Sequence, residues 1–410
     1  MPVSLVRVVW DFYPDRGGSI EHIRELSLHM QPYLSEQILV APKFKGDYED
    51  QDSQFSNPVV RVPYKRVRWG KLYLPFAVPL TIFSYARNVI SYIKEVVDSG
   101  QRVDLIHVHG MELGQYITYL AKKNKLKIPV VLMLHGNPTE RGIYVKLVLN
   151  SSLFLFTLVR PDYVLILDDG TQIDKIIQKV ESKNIPCCVV NHGVDSNFFK
   201  PAEGEHLRRE FVVLSTHRLL PVKRLDLAIL AFKRFLQGLN HKETAKLKLI
   251  GDGPSSQELV KLAKDNGLTA YIDFLGEKTV REVRESLNSA DVVVGTSLES
   301  NMNRAIQEAM ACATPVVVFD SGGTNRLIKH MVNGILVEPG DVIDFARNLK
   351  LLLEDVELRK TLGANARATI LQSRSWKARV TQELLVYREV LGDTCSAREP
   401  LPGPAKDDAA

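Results

Sequence analysis

The sequence predicts an α/β chain made of two doubly wound, Rossmann-like halves, and three observations carry that expectation. Residues 291–328 read strand, loop, helix, strand, Gly-Gly loop, helix. Val292–Val294 and Val316–Phe319 are short apolar runs of the kind buried in parallel sheets, and between them Ile306, Ala309 and Met310 share one face of a helix over 305–312. The start of the chain repeats the pattern: an apolar run at Val3–Trp10, a loop with Pro14 and Gly17-Gly18, then a helix with Ile23, Leu26 and Met30 on one face. The length of 410 residues suffices for about two to three ordinary domains, each with its own core.

Composition narrows the class. Charged residues are 25% and hydrophobic ones 45%, as in globular chains. A net charge of +5 with no nucleic-acid motif argues against a nucleic-acid partner. Of the four cysteines, Cys187 and Cys188 are adjacent while Cys312 and Cys395 stand alone. No spacing suits a metal, and none suits an extracellular disulfide framework, so a reducing, cytoplasmic compartment is expected. The segment MPVSLVRVVWDF reads as a strand and not as a secretory leader. No run of 18 uncharged apolar residues is long enough to span a membrane.

In order along the chain, Gln37–Ala41 reads as the second strand and 43–58 as a loop. Residues 61–73 carry Arg61, Lys65, Arg66, Arg68 and Lys71 without an acid, interleaved with Tyr64, Trp69 and Tyr73. Two readings stand for this stretch: contact with an anionic membrane surface or phosphorylated acceptor, or a solvated basic loop. Thr81–Val97 is a helix by periodicity. The strand within 103–110 ends in His107 and His109, and the strand Val130–Leu134 ends at His135. Histidines at the carboxyl edge of a parallel sheet stand where ligands bind, although a lone histidine is more often structural. Arg141 reads either as an acceptor contact or as a surface arginine. Residues 143–159 are apolar but broken by Lys146 and Asn150-Ser151-Ser152, which favours a buried or surface-docking helix. Asn191–Asp195 is a turn by composition.

The next half opens on a strand at Val212–Leu214, followed by Arg218 and then Lys223 at the head of a helix. Two cations at a helix start are unfavourable unless an anion or an acid answers them. With the helix dipole and its free N–H groups they make a site for a diphosphate. Gly251 and Gly253, after the strand in 247–254, permit a tight turn and close ligand approach. Glu308 lies where a carboxylate could reach two vicinal hydroxyls, and Gly322-Gly323 lets backbone N–H groups approach an anion. Residues 343–371 read as helical, Ser375-Trp376 starts a last helix through Arg388, and 393–410 look disordered.

Residues 308–311 read EAMA, Pro315-Val316-Val317 and the Gly-Gly loop follow, and 187–201 read CCVVNHGVDSNFFKP. With Arg218 and Lys223 five residues apart, these segments resemble the retaining GT-B glycosyltransferases of glycosyltransferase family 4, over about residues 3–392. The resemblance implies two Rossmann-like domains facing each other across a cleft. It assigns 1–202 to the acceptor, 203–374 to a nucleotide-sugar donor, and 375–392 to a helix crossing back to the first domain. It implies donor contacts at Gly17, Gly18, Arg218, Lys223, Gly251, Gly253, Glu299, Ser300, Asn301, Glu308, Gly322 and Gly323. It implies catalytic roles for His135, Arg218, Lys223 and Glu308, and acceptor contacts at His109 and Arg141. Three positions depart from the family pattern. Ser300 stands eight residues before Glu308 where the family has an acid, with Glu299 beside it. Arg326 stands where an acid often follows the Gly-Gly turn, and Arg224 stands where glycine follows the lysine.

The expected activity is sugar transfer, with retention and without a metal or other cofactor, from a nucleotide-sugar to a hydroxyl on a carbohydrate or lipid-linked acceptor. Peripheral contact with an anionic membrane through 61–73, at its cytoplasmic face, is part of that expectation. The alternative is a glycosyltransferase-like binding subunit that has lost catalysis, which Ser300 and Arg326 would favour.

Overall fold

The computed structural model describes residues 3–10, 18–44, 52–53, 55, 57–66, 77–135, 159–168, 170, 177–178, 180–203, 210–239 and 245–392. The chain forms two compact units. The first contains β1 (Val3–Val8), α1 (Gly18–Met30), β2 (Leu34–Pro42), β3 (Val59–Val62), α2 (Ala77–Asp98), β4 (Leu105–His109), α3 (Met111–Lys123), β5 (Val130–His135), β6 (Tyr163–Leu167) and β7 (Cys187–Val190). The second contains β8 (Phe211–Ser215), α4 (Leu225–Gln237), β9 (Ala245–Leu249), α5 (Ser256–Asp265), β10 (Ile272–Phe274), α6 (Val280–Asn288), β11 (Val292–Gly295), α7 (Arg304–Ala311), β12 (Val316–Phe319), α8 (Thr324–Leu327), β13 (Ile335–Val337), α9 (Val342–Glu354) and α10 (Val356–Ser373). The last helix, α11 (Trp376–Val390), belongs to the first unit from Lys377 onward.

Each unit is built on one parallel sheet, in the order β3-β2-β1-β4-β5-β6-β7 and β10-β9-β8-β11-β12-β13. Both orders reverse direction next to their first strand. The reversal places a crevice outside the carboxyl ends of β1 and β4 in one unit, and of β8 and β11 in the other.

In the first unit, strand alternation sorts the two sheet faces. Val6, Val8, Ile106, Val108, Leu132 and Leu134 all join one apolar cluster with Tyr85, Val89 and Ile93 of α2 and Leu113 and Ile117 of α3. Arg7 pairs in register with His107, and His107 with Val131. Arg7, His107, His109 and His135 therefore share the opposite face, which is polar although buried.

Four local features differ from the sequence expectation. The helix expected over 343–371 is two helices, because the Asp355 carboxylate accepts the Leu358 N–H at 2.8 Å and starts α10 there. β3 follows the expected loop and takes in the first two residues of the basic stretch, pairing Val59–Val62 with Leu39–Pro42. Arg61 from that stretch has its acid after all, an ion pair with Asp52 at 2.6 Å, and Tyr64 packs edge-on to Trp10. Residues 67–73 lie outside the described residues. Residues 192–202, placed with the first domain by the sequence motif, group with the second unit. There Val194 donates to Arg374 O at 2.8 Å and accepts from Trp376 N at 3.3 Å, while Gly193 leaves no room for a Cβ against the Trp376 indole.

The second unit relies on one further close approach. A Cβ on Gly363 of α10 would collide with the carbonyl oxygen of Ala313, a residue itself held at φ +58°. Gly363→Ala should therefore destabilise this unit by about 1–3 kcal/mol. Urea unfolding followed by tryptophan fluorescence checks this, and an unchanged midpoint would show that α10 can lift away from the 313 turn.

Candidate functional site

At the crevice of the second unit, two loops are knitted together by backbone contacts. The loop after β8 donates Leu219 N–H to Asp252 O at 2.9 Å, and the loop after β9 returns Ser255 N–H to Leu219 O at 3.0 Å. Gly251, at φ +127°, lies against His217 O too closely for any side chain. The two expected glycines thus shape the loop that carries Arg218, whose side chain is exposed. Lys223 closes a short 3-10 turn just before α4. Burial lowers its ammonium pKa, and the Glu299 carboxylate works against that shift. Arg224 caps α4 in the left-handed region, at φ +49° and ψ +43°, with no side-chain capping bond; its guanidinium pairs instead with Asp226 at 2.9 Å. This is the conformation for which glycine is favoured, which accounts for the glycine the family pattern has at this position.

The loop after β11 is organised by Asn301. It is fully buried, its amide donates to Ser297 O, Phe319 O and Ser321 Oγ, and its Oδ1 accepts from Ser297 N. Asn301 was expected among the donor contacts; here its side chain is spent inside the loop. Ser300 also turns inward, its hydroxyl accepting the Met302 N–H at 3.1 Å. Glu299 is exposed. The Gly322-Gly323 turn is bonded as well, since Gly323 N–H donates to Gly170 O at 2.7 Å. Gly322 adopts φ +57° where a Cβ would strike the Glu299 and Gly170 carbonyls. The Arg326 guanidinium lies over Gly323.

Glu308 sits mid-helix on α7, its side chain 15% exposed, paired with Arg304 at 3.3 Å. Burial raises its carboxyl pKa and Arg304 opposes the rise. Behind the loops stands His217, which sequence reasoning did not single out. Ile306 N–H caps onto Asn303 Oδ1, so His217 Nε2, 3.1 Å from the same oxygen, must be the donor. Its Nδ1 then accepts from Ser215 Oγ at 2.9 Å. Burial, helped by Lys223, drives the His217 pKa down to about 3, so the ring ties β8 to α7 without charge.

In the first unit the two predicted histidines belong to a larger cluster. Arg7 Nη1 lies 2.9 Å from His109 Nε2, and His109 Nδ1 lies 2.9 Å from His135 Nε2. Arg7 Nη2 pairs with Glu383 of α11 at 3.2 Å. Glu383 also receives the Tyr387 hydroxyl at 2.6 Å and lies 2.5 Å from Arg379. His107 Nδ1 is 2.6 Å from Tyr387 Oη. Burial alone would raise the Glu383 carboxyl, but Arg379, His107 and Arg7 hold it well below the usual range. Burial lowers the pKa of His107 and of His135 to about 4, and holds that of His109 well below the usual range. His109 was expected to contact an acceptor; it is only 4% exposed with both ring nitrogens engaged. His135 is the member that reaches the surface. Arg7 carried a signal in the sequence, as the one charge in a fully buried strand. Gly18 is the first residue of α1, whereas Gly17 and Arg141 lie outside the described residues.

Residues 197–369 match the family model described as Glycosyl transferases group 1. N-acetyl-alpha-D-glucosaminyl L-malate synthase of Bacillus anthracis is 26% identical over 324 residues, spanning 76% of this chain and 82% of its own length. An uncharacterised glycosyltransferase of Methanocaldococcus jannaschii is 25% identical over 387 residues, spanning 92% of this chain and 96% of its own. Among solved structures, Anabaena HepE in complex with UDP matches with a TM-score of 0.74 at 20% identity, covering 94% of this chain and 100% of that one. Sucrose-phosphate synthase from Thermosynechococcus elongatus matches with 0.73 at 17% identity, covering 95% and 100%. The fold is thus that of GT-B glycosyltransferases, and the family match supports a group 1 glycosyltransferase.

Neutral histidines with lowered pKa values make stability depend on pH. Unfolded, each titrates near about 6.5; folded, His107 and His135 titrate at about 4 and His217 at about 3. Below the unfolded value the denatured chain binds protons that the native chain refuses. Stability is therefore full above about pH 6.5 and falls toward pH 4, by roughly 1.4 kcal/mol per pH unit for each histidine. Urea midpoints at about pH 7.5, 6 and 5 should drop steeply across the last interval.

Proposed function

We propose that this chain is a retaining glycosyltransferase that moves a sugar from a nucleotide-sugar to a hydroxyl of a carbohydrate or lipid-linked acceptor, without a metal. One observation carries the reading. At the switch point of the unit that matches the group 1 model, Lys223 stands at the start of a helix that lacks a side-chain cap, and the exposed Glu299 carboxylate acts on its ammonium. A lysine is costly there unless an anion completes the arrangement. A nucleoside diphosphate supplies that anion.

In this reading Arg218 and Lys223 hold the diphosphate and offset the charge that develops as it leaves. Glu308, partly buried and paired with Arg304, accepts hydrogen bonds from two ribose hydroxyls. Glu299 takes the sugar-binding role that the family gives to the next position, where Ser300 is turned away. His135 is assigned to the sugar, as the resemblance implies. The bond from the anomeric carbon to the phosphate oxygen breaks, the acceptor oxygen bonds to the same face, and the departing phosphate oxygen takes the acceptor's proton. UDP is the first probe to use, because the Anabaena protein of this fold was crystallised with UDP and with UDP-glucose.

A thermal-shift panel of UDP, GDP, ADP and TDP tests the nucleotide site. Binding at about 100 times Kd should stabilise the native chain by about 2.7 kcal/mol. Lys223→Ala should weaken the preferred nucleotide by about ten-fold or more, as expected for loss of a charged contact. No loss would overturn the diphosphate assignment. Glu299→Gln should cut kcat by at least about ten-fold while the nucleotide still binds, since its contact is to the reacting sugar. Unchanged turnover would return the question to Ser300.

A further inference from the structure

The cluster in the first unit has a hydrogen-bond polarity that can be read without locating a single proton. A guanidinium has donors only, so at 2.9 Å His109 Nε2 must be the acceptor for Arg7 Nη1. A neutral imidazole with a lone pair on Nε2 carries its proton on Nδ1. His109 Nδ1 is 2.9 Å from His135 Nε2, so that nitrogen of His135 accepts in turn. Its proton is then on Nδ1, the nitrogen with no partner among the described residues. The stacking of the rings holds this order in place: His107 and His109 lie 4.7 Å apart at 17°, and His109 and His135 lie 5.2 Å apart at 27°.

We infer that Arg7 and His109 are positioning residues for His135, holding it as the Nδ1–H tautomer so that it presents a hydrogen-bond donor to an oxygen of the substrate. The tautomer part of this inference stands on geometry alone, and the substrate part rests on the transferase reading above. The alternatives meet specific obstacles. An imidazolium at His135 would put a second proton on Nε2, facing the Nδ1–H of His109. An imidazolium at His109 would put a proton on Nε2, facing Arg7. The low pKa of His109 and the value of about 4 for His135 agree with both exclusions. Glu383 serves the same end one step back, because its ion pair with Arg7 at 3.2 Å fixes where the guanidinium points.

In water a neutral histidine favours the Nε2–H form, so His135 freed from the chain should switch. The test uses the full chain labelled with ¹⁵N-histidine, with ring one- and multiple-bond ¹H–¹⁵N spectra recorded near neutral pH. His135→Gln identifies the His135 signals among the 10 histidines. Wild type should show His135 protonated on Nδ1. His109→Phe keeps a ring in the stack but has no nitrogen to donate, and His135 should move to the Nε2–H form. His109→Gln, whose carboxamide can accept from Arg7 and donate to His135, should restore Nδ1–H.

In transfer assays kcat should fall roughly ten-fold or more in His109→Phe and recover in His109→Gln, with nucleotide affinity in the second unit unchanged within about two-fold. An Nε2–H His135 in wild type, or a tautomer unaltered in His109→Phe, overturns the inference. If His109→Phe does not fold, the wild-type spectrum and His109→Gln still decide it. A tautomer that switches with kcat unchanged overturns the substrate part alone. Absence of transfer in wild type counts against the proposed function and leaves the spectroscopic answer intact.

Discussion

The first unit depends on one buried ion pair. Arg7 stands in the middle of β1 and Glu383 near the end of the chain, 376 residues later, and neither side chain has any exposed surface. Burying two charges costs several kcal/mol each, and their attraction alone does not reliably return it. Here the cost is met by number. Glu383 has Arg7, Arg379 and the Tyr387 hydroxyl around it, and Arg7 also finds His109 and the Met30 sulfur. Removing one member would strand the others, so the first strand and the last helix are committed to each other. The commitment explains why α11, past Trp376, belongs to the first unit although the 185 residues before it, 192–376, do not. It also explains why one face of the sheet can be polar at its centre while the other is wholly apolar.

The crevice loops of the second unit rest on uncharged side chains. His217 bridges Ser215 and Asn303 as an uncharged ring, and Asn301 gathers three strand-end oxygen atoms with one amide. Burial lowers the Lys223 pKa, and the exposed Glu299 carboxylate works against that shift. Charge at the surface over a neutral, hydrogen-bonded floor lets a ligand's charge count for more than it would among competing buried ions.

Much of this was legible in the residues, and what escaped has physical reasons. Periodicity located β4, β5, β11 and β12 and the apolar face of α1, because burial on a sheet or helix face imposes its own spacing. Alternation even placed His107 and His109 on one face. It could not say what faced them, since the partner residues come from β1 and α11 and no local pattern encodes a contact across the whole chain. β3 and β13, strands of 4 and 3 residues, were not read as strands. The break between α9 and α10 was a capping signal, Asp355, read as part of a continuous helix. Asn301 and Gly323 were assigned to a ligand from the motif they occupy; the sequence shows a polar group's presence but not whether its hydrogen bonds are already spent.

The shift from Ser300 to Glu299 follows from how that loop is packed. Position 300 points at Gly170 so closely that a Cβ there would meet the Ser300 hydroxyl, and the same glycine's carbonyl receives Gly323 N–H. A carboxylate at 300 in this loop would be largely enclosed, a costly place for a charge. One residue earlier the side chain is exposed and feels the Lys223 ammonium. Serine at 300 and glutamate at 299 are therefore a matched pair: the small hydroxyl closes the inner turn, and the acid is carried to the outer one. The packing thus leaves the loop's carboxylate on the exposed side, at Glu299, and the Ser300 hydroxyl on the inner one.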